Sequence, residues 1–230
     1  MCVNCGHCVA VCPQGAISLS TMPVELCPPV QRDLFFSSAQ VEQHLRARRS
    51  VRNYQNKPVP REILARLIDT ARFAPSASNG QPVQWLVVCG REDVRKLAGQ
   101  AVDWIRSLLQ QPNQFSLRVP RAVAFWDAGE DILIAGNAPH LIFAVAPKAG
   151  SWSRVDCTIA LTYLELAAPA FGLGTCWGGM LTLAVNGWPP MRQALGLTED
   201  QACFGAMMIG YPKHEHPRIP IRNAAEVTWL

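Results

Sequence analysis

No apolar stretch in this 230-residue chain approaches the roughly 18 residues needed to cross a bilayer. The opening residues lack the basic leader and apolar core of a secretory signal. Low-complexity runs and internal repeats are also missing. Charge is scarce, with 17% charged residues against 49% hydrophobic ones and a formal net charge of +4. No basic stripe is interleaved with aromatics, which argues against a nucleic-acid groove. The sequence has no G-x-G-x-x-G after a first strand, which argues against a Rossmann dinucleotide site. It also has no second C-x-x-C hairpin, which argues against the usual structural zinc site. What remains is a globular chain long enough for one good-sized core or for a small module plus one domain.

Cysteine is abundant but unevenly placed. Of the nine, Cys2, Cys5, Cys8, Cys12 and Cys27 fall in the first 27 residues. The other four, Cys89, Cys157, Cys176 and Cys203, stand singly in apolar settings and read as small core residues. A disulfide scaffold would spread its thiols through a small, loop-rich chain, so the pattern fits a reducing cytoplasm and one metal-type cluster. The spacing C-x-x-C-x-x-C-x-x-x-C-P over Cys2–Pro13 is that of a bacterial ferredoxin run for a 4Fe–4S cluster. In two-cluster ferredoxins the fourth cysteine ligates the other cluster. The expectation is therefore the second half of such a module, with its first half upstream. Two arrangements would close a site locally: Cys27-Pro28 completing Cys2, Cys5 and Cys8, or Cys12 bending back. Occupancy of the set Cys2, Cys5, Cys8 and Cys12 is left open between these readings.

Composition changes near residue 30. Residues 1–30 form the cysteine-rich segment and a linker punctuated by Pro23, Pro28 and Pro29, and residues 38–230 read as one larger domain. Serine caps begin a short helix at "SSAQVEQHLRARRS". "VPREILARLIDTARFAP" puts Ile63, Leu64, Leu67, Ile68 and Ala71 on one helical face. Helix is again expected over "EDVRKLAGQAVDWIRSLLQ", and a long apolar helix over "VDCTIALTYLELAAPAFGLG" despite Pro169. Strands are expected at 83–89, 140–146 and 203–211, with "EVTWL" as a further strand at the end. This mixture lacks a regular β-α-β alternation, which predicts an α+β sandwich with a central, mainly antiparallel sheet.

Three segments point to a phosphorylated, flat ligand. "RRSVRNY" (48–54) gathers Arg48, Arg49, Ser50 and Arg52 at a helix end, a set suited to charge-assisted bidentate bonds with phosphate. The loop "PSASNGQP" (75–82) lets backbone approach a ligand closely, and Asn79 offers both donor and acceptor atoms. In "GLGTCWGGML" (172–181), Gly178 and Gly179 can present N–H groups to a ring edge and Trp177 can wall it. "GYPKHEHPRIPIRN" adds Lys213, Arg218 and Arg222. The histidines, including His214 and His216, and the acidic pairs Glu130-Asp131 and Glu199-Asp200 read as structural or solvated, and Cys176 as a buried filler.

In this order and at these intervals, "RRSVRNY", "PSASNGQP", "GLGTCWGG" and "GYPKHEHPRIPIR" resemble the FMN-dependent nitroreductase family over about residues 38–230. With the cysteine run, the chain resembles the branch carrying an N-terminal ferredoxin-type module. The resemblance implies a homodimer with FMN at its interface. It implies that Arg48, Arg49, Ser50 and Arg52 hold the phosphate and ribityl chain, that Ser76, Ser78 and Asn79 reach FMN from the partner subunit, and that Gly178 and Gly179 face the ring. Arg222 would return to the phosphate, with Arg218 or Lys213 as substitutes. The implied activity takes electrons from NAD(P)H or a ferredoxin-type donor to a nitroaromatic, a quinone or a related flat acceptor. A flavin-binding electron-transfer or redox-sensing protein without turnover is the alternative. No protein nucleophile or dedicated general acid is required.

Overall fold

The structure is a computed structural model and describes residues 2–110 and 118–230. Its centre is a four-stranded sheet in the order β1-β2-β4-β3, antiparallel throughout. The strands are β1 (Gln84–Cys89), β2 (His140–Pro147), β3 (Gly174–Trp177) and β4 (Gln201–Gly210). Strand β2 is central, so both its faces are buried and its sequence is a continuous apolar run. Its side chains alternate between two cores. Leu141, Phe143 and Val145 pack with α4 (Arg91–Leu109), α5 (Arg118–Asp127), α7 (Gly179–Gly187) and α8 (Pro189–Ala194). Ile142, Ala144 and Ala146 pack with α3 (Arg61–Ala71) and α6 (Ser153–Ala167). A register shift between Ala144 and Val145 lets Cys203 and Ala206, three positions apart on β4, share the first core. The fold is the expected α+β sandwich with helices on both faces of the sheet.

Helix α2 (Ser38–Ala47) starts with a capping box. Ser37 Oγ accepts from the Gln40 N–H at 3.3 Å while Gln40 Oε1 accepts from the Ser37 N–H at 2.8 Å. Leu64, Leu67 and Ala71 bury the predicted face of α3, and α4 buries Val94, Leu97, Ala98, Ala101, Val102 and Ile105 at the i, i+3, i+4 spacing.

Two expectations need correction. The long apolar helix ends at Ala167, because Pro169 has no N–H to donate to the ladder; a 3-10 turn (Ala168–Phe171) follows, closed by left-handed Gly172. "EVTWL" is not a strand. Residues 214–230 carry no helix or strand, and Trp229 and Leu230 are exposed, so no sheet edge receives them. Among the described residues no helix is long and apolar enough to cross a membrane.

Candidate functional site

The "RRSVRNY" segment is an extended strip laid along the outer edge of β3 and held there by isolated bridges. Ser50 forms a parallel bridge with Thr175, and the Val51 N–H donates to the Thr175 carbonyl at 2.8 Å. Its far end is tied to the chain after β4: the Lys213 N–H donates to Asn53 O and the Gln55 N–H to Tyr211 O, both at 2.9 Å. The buried Tyr54 hydroxyl donates back to Val51 O at 2.6 Å, and burial pushes that phenol well above its ordinary pKa. Close approach depends on Gly174. A Cβ there would stand 2.5 Å from Val51 Cγ2 and 2.9 Å from Pro212 Cγ.

This strip parts the arginines. Arg48, which caps α2, lines a cavity of about 640 Å³ with Arg49, Thr175, Glu165, His44 and His216. Arg52 lines a second cavity of about 460 Å³ with Cys176, Trp177, Gly178, Gly179 and Leu133. A smaller recess of about 210 Å³ holds Ser50, Arg52, Asn53, His214 and His216 between strip and tail. The first cavity offers an anion the guanidiniums of Arg48 and Arg49 and the Thr175 hydroxyl. The second is largely apolar, with a single charged side chain in its wall, and suits a flat ring. His216 and His214, read from sequence as structural, therefore border the cationic end.

Glu165 was not identified from sequence. It is buried, and its oxygens are divided between two partners: Oε1 accepts from Arg48 Nη1 and Oε2 from Trp177 Nε1, each at 3.0 Å. An acid near the C-terminal end of α6, set off from Asp156 by eight apolar or small residues, was the available signal, since a buried carboxylate is too costly to persist without donors. Cys176 lies buried beside the strip, and burial raises its thiol pKa although Arg52 opposes the shift. It remains a thiol, as the filler reading expects.

Gly178 and Gly179 differ. The Gly178 N–H already donates to the Ala206 carbonyl at 2.8 Å, which corrects the expectation that both glycines present free N–H groups. Gly179 is exposed at the first position of α7, where a helix has no internal acceptor for the N–H, and a Cβ there would meet nothing within 4 Å. Arg222 sits in the exposed tail rather than in the recess where His214 and His216 lie.

Ser76, Ser78 and Asn79 lie elsewhere. Their loop lines a third cavity, of about 540 Å³, through Ser76 with Gln81, Trp85 and Asp156. Ser78, Asn79 and Gln81 have φ of +51°, +54° and +46°, the left-handed region that side chains other than glycine seldom adopt. Buried Asp156 holds the loop by accepting the Ala77 N–H at 3.0 Å, and the Asn79 amide donates to Asn4 O at 2.8 Å. Asp156 and Glu165 are nine positions apart on α6, which places loop and strip roughly 13 Å apart along one helix.

The Asn4 contact joins the cysteine segment to the domain. That segment folds around α1 (His7–Val11) and a Leu19–Met22 bridge, with Val9 buried. Its Gly6, at φ +73°, lies where a Cβ would come 2.6 Å from Met22 Sδ. Cys12 Sγ accepts from the Ala16 N–H at 3.3 Å, which lowers its thiol pKa. Among the described residues, however, no three Cys, His, Asp or Glu side chains are gathered closely enough to hold a metal. A 4Fe–4S cubane spreads its four thiolates wider than a single ion does; Cys2, Cys5 and Cys8 are exposed and Cys12 is half-buried, each a free thiol. The arginines, hydroxyls and ring-sized apolar cavity do fit FMN.

Comparison with known proteins gives the same outline. Residues 45–211 match the nitroreductase family and residues 1–18 match a 4Fe-4S binding domain. The chain is 29% identical over 199 residues to an NADH dehydrogenase of Thermus thermophilus, covering 79% of this chain and 92% of that protein. It is 28% identical over 178 residues to a Methanothermobacter thermautotrophicus protein provisionally named NADH dehydrogenase/NAD(P)H nitroreductase, covering 76% and 79%. A nitroreductase with bound FMN from Bacteroides fragilis superposes with a TM-score of 0.70 at 21% identity, covering 83% of this chain and 98% of that one. At that identity the likeness speaks for the fold.

Proposed function

This chain belongs to the nitroreductase family, and from that premise we propose that it binds FMN and passes electrons from NAD(P)H or a ferredoxin-type donor to a nitroaromatic, a quinone or a related flat acceptor. The observation that carries the reading is the strip on β3, which sets Arg48 and Arg49 at a cationic cavity and Arg52 at an apolar one from a single fixed backbone. When bound, FMN supplies the electron chemistry. The residues supply grip and field. Arg48, Arg49 and Ser50 would hold the phosphate and ribityl chain, with His216 beside them. Arg52 would place positive charge where negative charge accumulates on reduction, aided by the Gly179 N–H. Trp177 and its apolar neighbours would exclude water from the ring. Residues 38–230 would form the flavin domain and residues 1–30 an appended ferredoxin-like segment.

Ser76, Ser78 and Asn79 would serve this site across a seam between two copies, because within one chain Ser76 lines a different cavity and the Asn79 amide is engaged by Asn4. The proposed unit is accordingly a homodimer, and the exposure of Ile221 (97%) and Trp229 (89%) supports an unfilled contact surface on the tail. The activity is tested by following oxidation of NADH or NADPH by FMN-reconstituted protein with a nitroaromatic or quinone present. Acceptor-dependent turnover that drops at least tenfold in Arg52→Ala is expected, about the effect of removing one stabilising charge. Bound flavin without turnover from any donor would contradict the enzymatic reading.

A further inference from the structure

Helix α6 buries two carboxylates in an otherwise apolar run, and Asp156 is accounted for by the loop backbone it holds. Glu165 has no backbone to cap. Its side chain is 8% exposed against 26% for Arg48, and its two oxygens are taken by donors that serve different cavities. A buried ion pair is weak grounds for a stability role, since an apolar pair of similar volume commonly serves as well. Nor can Glu165 act on an anion directly, because a carboxylate offers no donor and its charge repels one.

Resting on the FMN reading above, we propose that Glu165 is a positioning residue. It holds the Arg48 guanidinium by one N–H, leaving the remaining N–H groups for the phosphate, and fixes the Trp177 indole in the wall of the ring cavity with its other oxygen. Recognition of the phosphate therefore depends on a residue that never touches it. The structure links the two ends of the site through this one side chain.

The test compares FMN with riboflavin, which lacks the phosphate, by fluorescence titration of the full chain. The quantity read is the ratio of the riboflavin Kd to the FMN Kd, which a general loss of stability would not move. Glu165→Gln is expected to lower this ratio about tenfold, the lower range for a hydrogen bond to a charged group. In an Arg48→Met background the same change should leave the ratio where Arg48→Met alone put it. If Glu165→Gln does not fold, the uncharged pair Arg48→Met/Glu165→Leu must show the ratio of Arg48→Met. An unchanged or increased ratio in Glu165→Gln, or a second fall in the Arg48→Met background, would overturn the inference while leaving the FMN reading intact. Wild-type protein that binds neither flavin would remove both.

Discussion

Arg48 and Arg52 are four positions apart, and their spacing alone marks them as one cationic group. The structure separates them to two cavities, because Val51 between them is locked to Thr175 and buried against Gly174. Sequence could supply the charges but not this division, which depends on contacts some 125 positions away. His140 was similarly opaque. It reads as a residue before a strand, yet it is buried, with Nε2 accepting the Val59 N–H at 3.0 Å and Nδ1 without a partner among the described residues. Burial lowers its pKa, so the folded state keeps it neutral where the unfolded chain would protonate it. Its stabilising contribution is complete above the unfolded value of about 6.5 and is lost as pH falls through the depressed folded value. Unfolding free energy from denaturant titrations between pH 7.5 and 5 should fall faster in wild type than in His140→Gln, by at most about 1.4 kcal/mol per pH unit, with Tm following. Parallel curves would contradict this.

At the scale of elements, the site is an extended strip, the short strand β3 and helix α6. The "GLGTCWGG" segment was legible as a ligand-facing loop, but β3 within it was not, since four residues with two glycines flanking carry no period-2 signal. The helices α2, α3 and α4 were legible because caps and apolar spacing are local properties. The strip is held by partners remote in sequence, so its place beside β3 appears only in three dimensions. Gly174 tests that assembly. Gly174→Ala forces a methyl against Val51 and Pro212, and overpacking of this kind typically costs about 1–3 kcal/mol. The variant should melt lower and, still folded at 20 °C, bind FMN at least tenfold more weakly than wild type. Wild-type affinity in that variant would show that the fit of strip to β3 does not set the grip.

For the molecule as a whole, the cysteine segment and the flavin domain meet through Asn4 and Asn79, at the loop that the proposal assigns to a partner's site. The spacing of the thiols was readable and its family matches, whereas which four thiolates would share one cubane is a matter of geometry that spacing does not fix. Iron and sulfide assay of anaerobically purified protein decides between the readings: about four irons per chain marks a filled cubane on these thiols, and none marks thiols that hold no cluster. Either result leaves the flavin reading untouched, because no residue assigned to FMN lies in the segment. The α+β fold itself followed from the mixture of apolar periods, and the pairing order of the sheet did not.

The central claim is that one fixed strip of backbone holds a flavin by its phosphate beside Arg48 and by its ring beside Trp177. The most direct check incubates the protein with excess FMN, removes the free flavin and reads the visible spectrum of what remains. One FMN per chain, reduced by half or more in Arg48→Ala/Arg52→Ala, is the predicted result; colourless wild-type protein would contradict the account.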